Sequence, residues 1–292
     1  EGERVVVVDD FSTGSRANLR GCATHSGLRV VESKVSTCAE LPALVAQADY
    51  IVHLAAAVGV ELVVQSPIRT IETNLHESEV ILAAAAVQGV PVLFASTSEV
   101  YGDCRDEAFR EDESFLVVGP IRKERWIYSC CKQLLDRVIY AYGTRGYIEF
   151  TLFRPFNWIG AGLDNLHAAK EGSSRVVTQF LGNIARGENI QLVDGRSQER
   201  CFTGISDGIA ALMKILENRD GKASGNIYNI GNPRNTLSVR QLAEKMLTMA
   251  AKIPEYRNNA ARVKLVDVSA TGYYGKGYQD VQHRVPGIAN TT

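Results

Sequence analysis

The chain has 292 residues, a formal net charge of −1 and 45% hydrophobic residues, so it can bury a sizeable core without an excess of charge. This balance gives no reason to expect a nucleic acid or a membrane surface as partner, and no apolar run approaches the ~18 residues of a membrane span. The six cysteines form no Cys-x-x-Cys pair and no metal-like cluster with the five histidines. We therefore expect a cytoplasmic protein with free thiols and no bound metal.

Short apolar runs alternate with helical patterns through the first half of the chain. This alternation is typical of βαβ units built around a parallel sheet. It predicts an α/β fold with a doubly wound parallel sheet. The predicted strands are Arg4–Val8, Leu28–Val31, Tyr50–Leu54, Val90–Ala95 and Glu149–Phe153, and the predicted helices are Ile68–Val87 and Trp126–Arg145.

From about Trp158 onward the pattern indicates a smaller second domain. We expect a division into a dinucleotide-binding domain at 1–157 and a substrate domain at 158–292. From Pro254 the sequence is polar, and we expect it to be irregular as far as a loop at Tyr273–Asp280. The predicted elements before it are helices at Arg175–Arg186, Asp207–Glu217 and Ser238–Ala250, and strands at Ile190–Val193 and Asn226–Ile230.

An acidic residue follows the first predicted strand. Asp9 stands where a carboxylate commonly binds the ribose hydroxyls of an adenine dinucleotide, although Asp9-Asp10 is equally compatible with an ordinary turn. A glycine-rich loop and its strand normally precede such an aspartate by about twenty residues, whereas the sequence begins eight residues before it. We expect the first strand and the glycine loop to be missing from this chain, or the dinucleotide to be held in another way.

Tyr128 and Lys132 form the most informative pair in the sequence. Four residues apart on a predicted helix, they share one face. A free phenol has a pKa near ~10 and is a poor base at neutral pH. A fixed ammonium beside it favours the phenolate, so we expect Lys132 to lower the pKa of Tyr128. Such a tyrosine can take a proton from a sugar hydroxyl while hydride leaves to a nicotinamide.

A second motif, Ser96-Thr97-Ser98-Glu99-Val100-Tyr101-Gly102, follows the predicted strand Val90–Ala95. Together the two motifs resemble the extended short-chain dehydrogenase/reductase family of nucleotide-sugar enzymes. Further matching segments are Gly119-Pro120, Arg125–Ser129, Lys132–Arg137, Thr151–Trp158, Leu163–Leu166, Gly172–Arg175, Tyr273–Asp280 and His283-Arg284. With these the chain is most similar to the UDP-glucuronate decarboxylase (dehydrogenase) domains typified by the bifunctional polymyxin-resistance protein ArnA and its stand-alone relatives.

This resemblance implies a Rossmann-like fold and NAD-dependent oxidative decarboxylation of UDP-glucuronate to a UDP-4-keto-pentose and CO₂. It implies that Ser98 or Thr97 binds the sugar C4 hydroxyl and that Tyr128, assisted by Lys132, deprotonates it. Glu99 and Arg284 are the additional catalytic groups, and Arg284 suits the bidentate binding of a carboxylate.

The resemblance also implies the binding residues. Those for NAD are Asp9, Lys34, Val35, Leu54, Ala55, Ala56, Asn74, Tyr128 and Lys132. Those for the UDP-sugar are Val58, Thr97, Ser98, Arg125, Asn157, Arg175, Arg200 and Tyr278. As in the family, the long helices Ile68–Val87 and Trp126–Arg145 are candidates for a homodimer interface or one of a higher homo-oligomer.

Several positions depart from the family pattern. Lys34 stands in place of an aspartate beside the adenine, and Val63 in place of a tyrosine that touches the sugar. Gln191, Ala161-Gly162 and Gly204 replace a lysine, a Pro-Arg pair and an aspartate. The alternatives are therefore a UDP-xylose-forming decarboxylase, a UDP-sugar 4-epimerase, or a non-catalytic nucleotide-sugar-binding homologue.

Overall fold

A computed structural model of the chain describes residues 2–59, 63, 66–163, 175–194, 197–269, 272–273 and 281–291. In these residues two parallel ladders form the first layer. Their strands are β1 Val5–Asp9, β2 Leu28–Glu32, β3 Ile51–His53, β4 Val92–Ala95, β5 Phe150–Pro155 and, late in the chain, β10 Ile227–Ile230. One ladder pairs β1 with β2, and the other has the strand order β10-β5-β4-β3.

The four-stranded ladder is covered on both faces. Successive residues of β4 and β5 are buried irrespective of the side to which they point, which is typical of a parallel sheet between helices. Apolar side chains from the sheet and the helices form one continuous core on one face. The helices of this half are α1 Leu41–Ala46, α2 Pro67–Gln88 and α3 Trp126–Thr144.

Helix α2 begins and ends as its sequence dictates. Pro67 occupies the first turn, where its missing N–H costs nothing, and Gly89 ends the helix with a left-handed φ of 68°. Helix α3 packs closely on β5 at Gly143. A side chain at this position would not fit, because its Cβ atom would lie 2.2 Å from the ring of Phe150. These helices match the predicted ranges to within one residue at each end.

The second half contains a separate core. Helices α4 Val176–Arg186, α6 Val239–Ala250 and α7 Pro254–Arg262 pack around the strand β7 Ile190–Val193. Short strands and one further helix complete this half. They are β6 Trp158–Ile159, β8 Glu199–Cys201, β9 Thr203–Gly204, α5 Ile205–Glu217, β11 Thr236–Ser238 and β12 Leu265–Val268.

The prediction of an irregular segment after Pro254 was wrong. The structure has helix α7 there, followed by β12, which pairs in parallel with β7. The helix is mostly polar because it contributes only a narrow stripe to the core, with Ala260 buried and Tyr256 half-buried. Proline in the first turn and the cluster of apolar residues in β12 were the available signals.

The two predicted domains are interleaved in the described residues. Strand β10 returns to the first sheet and pairs with β5, and Leu212 and Ile215 of α5 pack against Leu93 and Phe153 of that sheet. Thus part of 158–292 completes the layer that 1–157 begins. The boundary at residue 157 remains a prediction.

Candidate active site

The turn that follows β4 carries a cluster of side-chain hydroxyls. Thr97 caps a single turn of 3-10 helix at Ser98–Tyr101, and its hydroxyl accepts a hydrogen bond from the backbone N–H of Glu99 at 3.2 Å. Thr97 and Ser98 are both buried. Because the turn lies beyond the carboxyl end of a central parallel strand, it occupies the edge at which α/β proteins bind their ligands.

Helix α3 places Tyr128, Lys132 and Asp136 on one face, and all three are buried. The Lys132 ammonium donates a hydrogen bond to the carbonyl oxygen of Ala95 at 2.8 Å and lies 4.5 Å from the centre of the Phe94 ring. Burial lowers the pKa of Lys132 from 10.5 to about 8, while the carboxylate of Asp136 acts in the opposite direction. A buried cation therefore fastens the helix to the end of β4.

The pKa of the Tyr128 phenol differs from the sequence prediction. Burial raises this pKa above its ordinary value, and the negative charge of Glu99 raises it further. The Thr97 hydroxyl and the Arg175 guanidinium lower it without reversing the direction. The prediction that Lys132 makes the phenol acidic is therefore wrong for this structure, because desolvation dominates and the ammonium is held by the end of β4.

Glu99 is the centre of a buried ion-pair cluster. Its carboxylate lies 2.5 Å from Nη1 of Arg284 and 2.8 Å from Nη2 of Arg125. Burial alone would raise the pKa of Glu99, but the charges of Arg125, Arg284 and Arg200 lower it from 4.5 to about 2. The cluster thus joins the turn after β4, the residue before α3 and the C-terminal part of the chain around one ionised carboxylate.

Strand β8 connects three of the predicted residues. The backbone N–H of Cys201 donates to the carbonyl oxygen of Arg284 at 3.3 Å, and the Cys201 carbonyl accepts a hydrogen bond from Nδ2 of Asn157 at 2.8 Å. Asn157 has a φ of 39°, a left-handed conformation that asparagine tolerates better than most residues. Arg200 precedes Cys201 on the strand and is buried. The structure therefore brings Arg284, Asn157 and Arg200 to one place.

Two other predicted substrate residues lie at or beyond the border of the described chain. Arg175 immediately precedes helix α4, and its Nη1 donates a hydrogen bond to the carbonyl oxygen of Leu163 at 3.3 Å. Its charge also lowers the pKa of Tyr128. Tyr278 is outside the described residues.

The predicted adenine side of the cofactor site is more exposed. Asp9 ends β1, and its Oδ1 accepts a hydrogen bond from the backbone N–H of Phe11 at 2.7 Å. Lys34 is exposed and precedes a short 3-10 turn that begins at Val35. The Val35 side chain belongs to the hydrophobic core, so only its backbone remains to contact a ligand.

The segment after β3 supplies the rest of the predicted cofactor edge. Asn74 is buried, and its side chain brackets the backbone of Ala57, accepting from its N–H at 3.1 Å and donating to its carbonyl at 3.0 Å. Asn74 therefore fixes the backbone conformation of this segment at Ala57. The residues that the segment presents are exposed or half-buried, namely Leu54, Ala55, Ala56 and Val58.

Two further buried charged residues lie on the helix of Tyr128 and the neighbouring strand, and the sequence motifs did not indicate them. Asp136 and Arg154 form an ion pair of 3.0 Å between helix α3 and strand β5. The available signal was the position of Asp136, which is one helical turn after Lys132 and therefore on the same face.

The described part of the chain contains neither a candidate membrane span nor a candidate metal site. None of the helices there is both long and apolar enough to cross a membrane. Over the same residues, His, Cys, Asp and Glu side chains form no group of three or more that is placed to hold a metal ion.

Residues 1–231 match the NAD dependent epimerase/dehydratase family, and the chain therefore belongs to that family. The family's cofactor is NAD, and its fold is the Rossmann-like α/β fold described above. The residues present suit NAD at the carboxyl ends of the parallel strands. Asp9 offers a carboxylate to ribose hydroxyls, the segment 54–58 offers an exposed apolar surface, and Tyr128 with Lys132 lies beside the turn after β4.

Solved structures of similar fold span nearly the whole chain. The PbgP3 protein from Burkholderia pseudomallei is 48% identical over 99% of this chain and 81% of its own, with a TM-score of 0.86. At 20% identity, a UDP-N-acetylglucosamine 4-epimerase from Methanobrevibacter ruminantium M1 matches 98% of this chain and 82% of its own, with a TM-score of 0.79. At 22%, the dTDP-glucose 4,6-dehydratase DesIV from Streptomyces venezuelae matches 99% and 80%, with a TM-score of 0.76. The last two show the fold alone.

Proposed function

We propose that this protein catalyses the NAD-dependent oxidative decarboxylation of UDP-glucuronate to a UDP-4-keto-pentose and CO₂. The observation that carries the proposal is the position of Arg284, which meets Glu99 at 2.5 Å across 185 residues of sequence. Glu99 in turn acts electrostatically on Tyr128. We infer from these two links that the Arg284 guanidinium acts in the same site as the phenol. Epimerisation of a neutral sugar does not require such a group, whereas a uronic acid does.

In this proposal Tyr128 takes the proton of the C4 hydroxyl. NAD, when bound, supplies the acceptor for the hydride that leaves C4. Thr97 and Arg175 are the groups that favour the phenolate, and they act against burial. Ser98 or Thr97 donates a hydrogen bond to the C4 oxygen from the turn after β4. Because burial raises the pKa of the phenol, the turnover rate is expected to rise from neutral toward alkaline pH.

The second step uses the ketone that the first step makes. A 4-keto group places the C5 carboxylate β to a carbonyl, so the electron pair of the breaking bond to CO₂ moves into the ketone as an enolate. That enolate takes a proton at C5. We assign Arg284 to the substrate carboxylate before it leaves. Its Nη1 is bound to Glu99, so the substrate carboxylate has to replace the glutamate or share the guanidinium with it.

The nucleotide end of the substrate is the other half of the proposal. Arg175, Arg125 and Arg200 are assigned to the uridine and the diphosphate, because guanidinium groups bind phosphate oxygens in pairs. Asn157 is assigned to the sugar and Tyr278 to closure over the substrate. The proximity of Arg125 and Arg200 to Glu99 supports a site in which the diphosphate and the uronic acid are held by neighbouring cations.

The test is incubation of the full-length protein with UDP-glucuronate and NAD⁺ while CO₂ and NADH are measured together. Equal amounts of CO₂ and NADH support the proposal, and no CO₂ rejects it. CO₂ without NADH means that the ketone is reduced again to UDP-xylose. If the protein is instead a 4-epimerase of neutral UDP-sugars, Arg284→Ala should leave the activity largely intact, whereas decarboxylation should be lost.

We also propose that the protein is a homodimer or a higher homo-oligomer. Helices α2 and α3 lie against one another and carry exposed apolar residues, among them Ile68, Val87, Leu134 and Tyr140. An uncovered apolar surface of this kind favours a protein interface. Sedimentation of the wild type and of Leu134→Arg tests the proposal, which requires a smaller assembly for the variant.

A further inference from the structure

A buried polar network lies directly behind the candidate site. Oδ2 of Asp136 accepts hydrogen bonds from Oγ of Ser96 at 2.9 Å and from Nη2 of Arg154 at 3.0 Å. Asp136 is 5% exposed and Arg154 is 2% exposed, so both charges are out of solvent. A buried ion pair of this kind is weak evidence for stability, because desolvation offsets most of the attraction. The position of the Asp136–Arg154 pair in the fold therefore says more about its role than its contribution to stability does.

On one side the network holds the catalytic helix against the strand that carries the hydroxyls. Lys132 and Asp136 are one turn apart on α3, and they bind consecutive residues of the chain, Ala95 and Ser96. Those two residues immediately precede the turn that starts at Thr97. The register between the helix face and this turn is thus fixed by two buried contacts.

On the other side the network reaches the strand at the sheet edge. Nη1 of Arg154 donates to the hydroxyl of Tyr101 at 2.9 Å, and that hydroxyl donates to Oδ1 of Asn229 at 2.9 Å. Nδ2 of Asn229 donates to the carbonyl of Phe109 at 2.8 Å. Each of these groups is buried. The chain of contacts therefore runs from α3 through β5 to β10 and the segment at Phe109.

The backbone at Phe109 is hydrogen-bonded to the segment that contains Arg284. The backbone N–H of Phe109 donates to the carbonyl of Val285 at 2.8 Å, one residue after Arg284. The N–H of Gly287 returns a hydrogen bond to the carbonyl of Phe109 at 2.7 Å. One continuous set of buried and partly buried hydrogen bonds thus links the helix of Tyr128 to the backbone beside Arg284.

We propose that Asp136 and Arg154 are positioning residues that set the distances between the Tyr128–Lys132 pair, the turn at Thr97–Glu99 and Arg284. They contact neither substrate nor cofactor in this assignment. The inference rests on the proposed use of Tyr128 as the base. Beyond that function, we infer that the geometry of the site depends on the buried Asp136–Arg154 ion pair, although this pair does not contact the reacting groups.

The electrostatic surroundings of Lys132 agree with this role. The charge of Asp136 raises the pKa of Lys132 and also raises that of Tyr128. On β3, burial together with the charge of Lys132 lowers the pKa of the His53 imidazole to about 3, so it is neutral near pH 7. Cys131 lies next to the lysine on α3 and is buried. Asp136 is therefore the neighbouring carboxylate whose charge raises the pKa of Lys132.

The first test is Asp136→Asn, which keeps the size of the side chain and an oxygen acceptor but removes the charge. We expect the rise of the pH–rate profile to move to lower pH, because removal of the Asp136 charge lowers the pKa of Tyr128. The same change lowers the pKa of Lys132. We expect kcat to fall by on the order of 10- to 100-fold as the register loosens, with KM for the UDP-sugar little changed. Thr151→Val is the matched control, since it removes the buried hydrogen bond from Thr151 to the Ala223 carbonyl on the same strand as Arg154.

An unchanged pH profile in Asp136→Asn, or an equal loss of kcat in Thr151→Val, would overturn the proposal. If Asp136→Asn does not fold, Ser96→Ala removes one contact of Asp136 without leaving a buried cation unpaired. It should lower kcat by about 10-fold without affecting KM, and an unchanged kcat is contrary evidence. An NMR titration of the Lys132 ammonium needs no substrate. A lower midpoint in Asp136→Asn combined with an inactive wild type would refute the proposed reaction but retain the electrostatic role of Asp136.

Discussion

The two ends of the candidate site are built in different ways. Around Glu99 the charged groups are buried and bound to one another, so the protein itself fixes their geometry. At the cofactor edge, Leu54 and Val58 are exposed and Asp9 is only partly buried, with one oxygen bound to a local backbone N–H. The difference indicates that substitutions at the buried end alter the chemical step or the stability, whereas substitutions at the exposed edge alter the affinity for NAD.

The largest effect is expected at the proposed base. Tyr128→Phe removes the phenolic oxygen while it keeps the buried ring, so kcat for NADH formation should fall by about 10²- to 10⁴-fold. NAD⁺ binding measured by calorimetry should be retained. The control is Tyr140→Phe on the same helix, an exposed position at which full activity is expected. A Tyr128→Phe protein that turns over at the wild-type rate would remove Tyr128 from the mechanism.

The ion-pair cluster should make stability depend on pH. The pKa of Glu99 is about 2 in the folded protein, compared with 4.5 for a glutamate that has no such surroundings, as in the unfolded chain. Ionised Glu99 therefore contributes about 3 kcal/mol to the free energy of unfolding. Because the folded pKa is the lower one, this contribution is complete above about pH 5 and is lost as the pH falls toward 2. We expect Glu99→Gln to lose about 3 kcal/mol in urea unfolding at pH 7 and progressively less at lower pH.

The control for that experiment is a surface ion pair. Glu113 pairs with Arg110 at positions where both side chains are more than 60% exposed. Glu113→Gln should therefore leave the free energy of unfolding nearly unchanged at any pH, because solvent screens the pair. If Glu113→Gln and Glu99→Gln lower the free energy of unfolding equally, the buried cluster stabilises the protein no more than a surface ion pair does.

A smaller effect is expected at the cofactor edge. Asp9→Asn keeps an acceptor for the N–H of Phe11 but removes the negative charge offered to the ribose, so Kd for NAD⁺ should rise by about 10-fold while kcat at saturating NAD⁺ is unchanged. Calorimetry and NAD⁺ saturation curves measure this. Asp10→Asn provides the comparison. If it weakens binding more than Asp9→Asn does, the ribose carboxylate is Asp10.

The smallest effect is expected at Lys34. Its side chain is exposed, and solvent screens its charge, so Lys34→Ala should change Kd for NAD⁺ by no more than about 3-fold. A larger loss in calorimetry at low salt would show that this lysine binds a phosphate of the dinucleotide.

The sequence predicted the elements that have strong local signals. Strand β7 was predicted at its observed range, and α2 and α3 to within one residue, because apolar periodicity and the terminal proline or glycine mark them. Helix α7 was missed because only a narrow stripe of it is apolar. The prediction of the Tyr128 pKa failed for a different reason. The spacing of Tyr128 and Lys132 gives a shared face, but only the fold shows that burial outweighs the charge of the lysine.

The site contacts that the sequence did not predict are those between residues far apart in the chain. Motifs indicated Glu99 and Arg284 separately, whereas their direct pairing and the participation of Arg125 depend on how the C-terminal segment returns to the sheet. The link from Asp136 to Arg154 had only the helical spacing of Asp136 as a signal.

The most direct test of the account follows the hydrogen at C4 of the sugar. UDP-glucuronate that carries deuterium at C4 is incubated with NAD⁺ and the full-length protein, and the reduced cofactor and the CO₂ are analysed together. The account predicts deuterium in the NADH, one CO₂ for each labelled cofactor, and slower release of CO₂ than from the unlabelled sugar. Release of CO₂ with no deuterium transferred to the cofactor, or deuterium transfer with no CO₂, would contradict it.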